Sequence, residues 1–546
     1  MAFDPTNTAD RWHYLLEIDL TGGSYVRYAE SDITLDDGTF YEGRLTSITS
    51  LSLSTGGLLD PRIVSPSLEM SIRNTDDVPR ASAEDNSWGN KDTTLKLGQG
   101  IAAADFDTVF DGVVRAPGGV SYWDDLELRL LLDDVRSKDS KVLPPTKIDP
   151  AVAAYTNAEA KSYYKVIPII YGDWQGSAPG ALKVPAYQIN STAGTGGKFS
   201  IADHALKEIE QIFNNTTDIT ANCTLDAANG QFTITSGTYT PATDVITCHV
   251  QGSTDDGLTT GTLLQELGDI FDDILQTWLS VASGDIDSTA ITAWNAELVT
   301  ADYGRRWIGT EISSDDLIRD LLIDGFADIT IEDGKYKPVY RAVSPSAGIP
   351  DWFDFTIREK GDGSKMFSVR LDPQRLYANE VVADFRFDPI ESSYAVNYTK
   401  QNTAAITAFG STKRRRLTLN WIYVAAGAET RTNREVFVFS TEPEHINLTV
   451  DPEGMTKVPT DQFNLTYSKY DSTPCMIRDI SINFVSMQAQ IEAWNMLLLT
   501  PGRWTSSSAP AWSAATATQK AEQGFWCDAN GEADPGDTTS AVSIWF

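Results

Sequence analysis

Histidine is scarce in this chain: four residues in 546, at His13, His204, His249 and His445. No HExxH stretch occurs and no two histidines have metal-ligand spacing, so a histidine-built metal centre has no support. Each of the four is read as a surface residue of a strand or helix. Cysteine is equally scarce, with Cys223, Cys248, Cys475 and Cys527. None forms a CxxC pair, which leaves zinc ribbons and thioredoxin-type chemistry without support. Whether Cys223 and Cys248 pair stays open. No run of eighteen apolar residues exists, so neither a spanning helix nor a membrane anchor is expected. The opening residues, MAFDPTNTADRW, lack a basic stretch followed by an apolar one, so no secretory signal is expected and assembly in a cytoplasm follows. Cations are few: 43 Lys and Arg against 76 Asp and Glu, a net charge of −33. Gripping phosphates needs clustered cations, so specific nucleic-acid binding is not expected. A Walker lysine loop and a GxSxG elbow are also missing. GDGSK, at 361–365, reads as a loop between strands. No cofactor is expected.

What is present is alternation. The length allows about three or four domains. Trp12, Tyr14, Leu16, Ile18 and Leu20 recur at period two, the mark of a strand with one apolar face. Asp36-Asp37-Gly38, between Ile33 and Phe40, is a hairpin turn. Further strands are predicted at 48–54, 68–72, 108–114 and 126–132. Past Pro144-Pro145 the pattern becomes mixed: a short buried strand at 166–171, a helix over 201–213 capped by Ser200, a hairpin turning at Asn229-Gly230, and a strand at 245–250. Leu263, Leu264, Leu267, Ile270, Phe271, Ile274, Leu275 and Trp278 then form a helical stripe. It is read as core, with a partner-binding groove helix as the alternative. Ser288 and Ser314 are the expected caps of two more helices, the second stopping at Gly325. A hairpin at 329–340 closes the region.

Alternation returns at Leu417, Leu419, Trp421 and Tyr423, followed by a short Ala-rich segment. Ile446, Leu448 and Val450 repeat it, as do Phe463, Leu465 and Tyr467, then Ile480, Ile482 and Phe484, then Met487, Ala489 and Ile491. After residue 500 the chain is rich in Ser, Ala and Thr, and it ends Ile544-Trp545-Phe546. So apolar an end is expected to dock as a strand.

This order of features resembles phage tail hub proteins, which sit at the centre of a baseplate or tail tip and join the tail tube to the tip or spike. The resemblance rests on the series from KRRRLTLNW to NMLLL and, far from it, on WHYLLEIDLTGGSYVRYAESDITLDDGTFYEGRLTSI, TVFDGVVRA and LELRLLLDD. The middle ADH…NG…TCHVQG series and the GFW…PGD ending are similar too. The fold class it implies is α+β, mostly β. Two tube-protein-like β-barrel or sandwich domains, 1–142 and 343–500, flank an α+β middle region, 143–342. An extended tail, 501–546, follows.

The resemblance also implies a homotrimer whose two β-domains alternate around a pore. Three chains then present six units to a sixfold tube, with the 263–278 helix outside the ring. Implied partners are the tail tube or distal tail protein, tip, spike or fibre proteins, and the tape measure protein, in the virion tail tip. A distal-tail ring or receptor-binding tip protein is an alternative. A tail-associated cell-wall hydrolase is another, but no segment sets two carboxylates in an aromatic cleft, and the chain is read as non-enzymatic. DNA must pass a hub without sticking, so ring-facing loops are expected to be acidic.

Lys413, Arg414, Arg415 and Arg416 form the one concentrated basic patch, and Trp421 follows on the same strand. Either the patch is the solvated start of a strand, or these five residues form a subunit interface with an acidic neighbour. Asp528, Asn530, Glu532 and Asp534 alternate as calcium ligands do, but Gly531 and Gly536 fall at the wrong positions for the usual loop, and a plain turn is the preferred reading.

Overall fold

The computed structural model describes residues 12–496 except 22–23, 50, 55, 58–59, 62–66, 135–140, 179, 194, 238, 242, 299, 333, 342–348, 354, 372–375, 441–443 and 485. Beyond 496 it describes the strands Arg503–Trp504, Gln523–Cys527 and Val542–Ile544. The candidate calcium positions lie outside the described residues. Gln523–Cys527 pairs with both of the other two terminal strands.

The fold is mostly β, in several open sheets, none closed into a barrel among the described residues. The first large sheet has ten strands. Trp12–Thr21 pairs on one side with Ser24–Ala29 and on the other with Asp92–Gln99. The Ile33–Thr34 and Phe40–Gly43 hairpin forms as its turn chemistry predicts, with Gly38 at φ +87°. The second sheet holds Asp351–Phe353, Gln462–Tyr467, Tyr470–Asn483, Gln488–Asn495, Glu444–Val450 and Phe367–Leu371. Their alternation is visible in the sequence, and Ile446, Ile480, Ile482, Ala489 and Ile491 are buried.

The predicted 48–54 strand is instead two strands in two sheets. Leu45–Ile48 pairs with Ser67–Arg73 in the first sheet. Leu51–Ser54 crosses to the second, where Leu53 faces Ile480 and Leu51 faces Ile482. Tyr470–Asn483 is fourteen residues long, and its partner Gln462–Tyr467 covers only its first half. The crossing strand fills the vacant half of that edge, as unpaired backbone groups require. The two sheets then share one core, from Tyr14, Leu16 and Met70 to Ile477, Phe484 and Ile491. The Tyr14 hydroxyl donates to the Phe484 carbonyl at 2.7 Å.

Residues 184–251 form a small sandwich of two four-stranded sheets, with Phe199 stacked on Phe232 at 5.2 Å. The helix predicted over 201–213 is absent; Glu208–Asn214 is a strand paired with Ile246–Gln251. A register shift between Ile209 and Gln211 explains the misreading. The extra residue of a bulge puts Ile209 and Ile212, three apart, on the same buried side, which imitates helical spacing. Ser200 ends the preceding strand and caps nothing. Cys223 and Cys248 lie in different sheets and are free thiols. The hairpin at Gly230 forms as expected, with φ +60°.

A third core joins helices Leu267–Asp273, Ser288–Glu297, Ser314–Asp324 and Ala425–Phe439 to the hairpin of Ala327–Glu332 with Lys335–Tyr340 and to a three-stranded sheet. The apolar stripe is core: Leu267, Ile270, Phe271, Ile274 and Leu275 are fully buried. The helix starts four residues later than its stripe, because Leu263 bridges to Thr254 instead, and it ends in a π-turn over Ile274–Trp278. Two caps shift by one residue. Asp287, not Ser288, accepts from the Thr289 and Ala290 amides. Ser313, not Ser314, accepts from Asp316, while the buried Ser314 hydroxyl accepts from the Lys141 amide. The Ala-rich segment is the first turn of the Ala425–Phe439 helix, whose buried face sets Arg431, Thr432 and Glu435 among Ala428, Val436 and Phe439 and so breaks the apolar stripe. Among the described residues no helix is long and apolar enough to cross a membrane.

Candidate interaction surface

The basic strand Arg414–Thr418 is an edge of the three-stranded sheet. It runs parallel to Glu380–Asp388, whose other side pairs with Ser393–Gln401. A strand alternates its side chains, so Arg414 and Arg416 point one way and Arg415 the other. Register places Arg414 opposite Glu380 and Thr418 opposite Asp384. Arg414 pairs with Glu380 and Arg416 with Asp384, yet these two arginine side chains stay 68% and 74% exposed. Arg415 turns inward, to Glu435 at 3.2 Å and onto the Phe439 ring at 4.2 Å. The Lys413 ammonium sits 5.3 Å from the Phe409 ring centroid. Each arginine thus has a carboxylate within its own chain, and Lys413, Arg414 and Arg416 are the exposed members of the patch.

Trp421 is not on that strand. The strand stops at Thr418, and Leu419, Trp421 and Ile422 are all buried in an irregular segment, so alternation past 418 is broken. The Trp421 ring lies 5.7 Å from Tyr171 and 5.1 Å from the Arg306 guanidinium. Asp324, the last residue of its helix and 2% exposed, holds this segment by accepting from the Trp421 amide at 2.6 Å and the Ile422 amide at 3.3 Å. Burial pushes the Asp324 carboxyl up to about 7.

Behind the edge lies a buried charge network that no sequence spacing reveals. Glu435, fully buried, meets Arg415 from one side and Arg431 from the other, the latter at 2.6 Å. Farther in, Asp328 receives Arg341 at 2.9 Å and Arg478. All three side chains are 1% exposed. Burial opposes the Asp328 charge, and the two guanidinium groups outweigh it, holding the carboxyl below the usual aspartate range. Asp328 and Arg341 flank the central hairpin, while Arg478 belongs to the second large sheet. The triad therefore ties the helical core to that sheet. The signal that was available, Arg431 and Glu435 at i and i+4, sits in the helix that the sequence concealed.

Two histidines contradict the surface reading. His249 is 8% exposed and bonds the Trp174 carbonyl at 2.8 Å through Nδ1. His445 is fully buried, with Nδ1 2.6 Å from Glu492 and Nε2 sealed from solvent without a partner. His204 accepts from the Ile170 amide at 2.9 Å, and burial lowers its pKa to about 4. The Glu492 carboxylate lines an open groove of 520 Å³ floored by Ser52, Ser481, Asn447 and Gln490, but the imidazole beside it is closed to solvent. Among the described residues no three His, Cys, Asp or Glu are grouped to hold a metal ion.

No family model matches the chain, and no curated protein does. Among solved structures it is similar to the 43 kDa tail protein of prophage MuSo2 from Shewanella oneidensis, at 11% identity and a TM-score of 0.38, covering 90% of this chain and 100% of that one. It is similar to the tail protein from Neisseria meningitidis MC58, at 7% identity and 0.39, covering 90% and 99%. A chain from the virion of a native gene transfer agent particle is similar at 10% identity and 0.40, over 62% of this chain and 87% of that one.

Proposed function

We propose that this chain is a structural hub of a phage tail or phage-derived particle, acting by binding rather than catalysis. Three copies close a ring at the tail tip or baseplate. The ring receives the tail tube or distal tail protein above and holds tip, spike or fibre proteins below, with the tape measure protein reaching its channel. Segments 1–142 and 343–500 are the two tube-like units, and 143–342 lies outside them.

One observation carries this reading. The two stretches that resemble hub proteins lie at opposite ends of the sequence, and they are folded onto each other. Leu51–Ser54 of the first completes the Tyr470–Asn483 edge of the second, and both sheets share a single core. A ring subunit that presents two units must hold them at a fixed angle. A shared strand and core do that, where a linker would leave them to move. Closing a ring also removes exposed strand edges. Lys413, Arg414 and Arg416 are the outward cations available to an acidic neighbour. Ring-facing loops are acidic, which keeps DNA moving.

The test is an image of the assembled particle with this chain located. Three copies with two tube-like units each are expected; six copies, or one unit per ring position, overturn the proposal. Turnover of peptidoglycan by the purified chain would refute the non-catalytic part.

A further inference from the structure

A cleft of about 380 Å³ opens between the Arg306–Ile308 strand, the small sandwich and the turn joining Glu380–Asp388 to Ser393–Gln401. That size falls within the range of small-molecule sites. Its composition runs against the rest of the molecule. None of its lining residues is Asp or Glu, in a chain that has 76 of them. Lys165, Arg305 and Arg306 supply three cations. Tyr187, Trp307, Phe387 and Tyr394 supply half-buried rings. Thr310, Ser392 and Asn420 add neutral hydrogen-bonding groups.

The positive charge here is only partly consumed internally: Arg306 pairs with Asp320, and Arg305 has no carboxylate partner among the described residues. Arg305, 3% exposed, is held between the Trp174 ring at 4.6 Å and the Tyr423 ring at 4.2 Å. It donates to the carbonyls of Asp173 at 3.3 Å and Gly180 at 2.9 Å, and no carboxylate pairs with it among the described residues. Burial lowers its pKa to about 10, so it stays charged at neutral pH. Arg306 gives one guanidinium nitrogen to Asp320 at 2.9 Å, while its Nη1 is buried without an acceptor. The Trp307 indole N–H is in the same state. Lys165 is exposed at the rim. The rings are also set in place by the backbone. Trp307 folds over Gly309, where any Cβ would stand 1.9 Å from the indole. Phe387 meets Tyr394 edge-on at 5.4 Å.

We propose that this cleft binds an acidic saccharide, its carboxylate drawn by the cations and its ring face laid against the aromatic side chains. Cations alone would suit any anion. Aromatic faces beside hydroxyl and amide groups suit a flat ring that is apolar on its faces and polar at its edge. An acidic protein segment is the competing occupant: Arg306–Ile308 pairs on one side only, but the edge it offers is three residues long, whereas four rings line the cleft. The inference does not depend on the ring proposal, and its test uses the isolated chain.

The full-length chain is titrated with glucuronic acid, with glucose and with a glutamate-rich peptide, read by saturation-transfer NMR. Glucuronic acid is expected to bind, and glucose to bind about tenfold more weakly or worse. Lys165→Glu, at an exposed position, should weaken glucuronic acid about tenfold while circular dichroism stays unchanged. Gly309→Val should also weaken it, by displacing the Trp307 ring. Equal binding of glucose, no effect of Lys165→Glu, no binding of glucuronic acid, or binding of the peptide in its place would each overturn the proposal.

Discussion

Two seams hold this chain together, one apolar and one that sets ions among apolar contacts. The seam between the two large sheets is apolar: Leu51, Ile480, Ile482 and Phe484 in one core, with a crossing strand completing the edge. The seam between the helical core and the second sheet sets ions among apolar contacts: Met476 and Trp494 pack in the helical core, and Asp328 meets Arg341 and Arg478. An apolar seam degrades in steps, because each methylene removed costs its own transfer and cavity energy. A buried ionic seam fails in one step, because a lone guanidinium in the interior has no cheap alternative. The difference teaches where the molecule is tolerant and where it is specified.

The largest effect should come from the ionic seam. Asp328→Ala removes the buried carboxylate that Arg341 and Arg478 share and should cost about 3–5 kcal/mol. Chemical denaturation of the isolated chain measures it. The matched apolar change, Ile482→Val, should cost about 0.5–1.5 kcal/mol. Replacing the whole triad, Asp328→Leu with Arg341→Met and Arg478→Met, should recover most of the single-variant loss. If Asp328→Ala proves no worse than Ile482→Val, the contrast between the seams is wrong.

A smaller effect separates the seams by pH. Burial raises Asp324 from the ordinary 3.8 to about 7, so the folded state holds its proton more tightly than the unfolded chain. Its contribution is therefore full below about pH 4 and is lost as pH rises through about 7. Asp328, held low by its arginines, acts with the opposite sign: its contribution is present above the unfolded value and is lost as pH falls. Asp324→Asn keeps an acceptor for the Trp421 amide and removes the titration. Melting temperature followed from pH 4 to 8 should decline less steeply with rising pH in this variant. An unchanged profile would mean that Asp324 ionises normally.

The smallest effect on folding should come from the exposed edge. Arg414→Ala with Arg416→Ala removes two guanidinium groups that are mostly exposed, while their partners Glu380 and Asp384 lie buried at the other end of each pair. A small loss of melting temperature is expected, whereas assembly into particles should weaken and become more sensitive to salt. A large loss of thermal stability would move these residues from the surface into the ionic seam, and unchanged assembly would leave them a solvated edge.

Some of this was written locally. Period-two alternation places Trp12–Thr21, Glu444–Val450, Gln462–Tyr467 and Gln488–Asn495. Turn chemistry places the hairpins at Gly38, Gly230 and Gly334, all at positive φ. The stripe from Leu267 to Leu275 places a buried helix. In each, one face is buried and the other is not, so periodicity survives in the residues themselves. The rest belongs to the tertiary structure. A bulge at Ile209 disguised a strand as a helix. The Ala425–Phe439 helix hid because paired charge, Arg431 with Glu435, interrupts the hydrocarbon of its inward face. Leu45–Ile48 and Leu51–Ser54 read as one strand because both alternate, yet only the vacant edge of a strand more than 400 positions later decides that they part. Trp421 reads as the apolar continuation of a basic strand, whereas Asp324, 97 positions away, fixes its backbone in an irregular buried segment. Sequence by itself determined which residues bury one face. Which partner each face meets depends on contacts between distant segments, and there a buried charge, a bulge or an open edge costs or gains as much free energy as the local pattern.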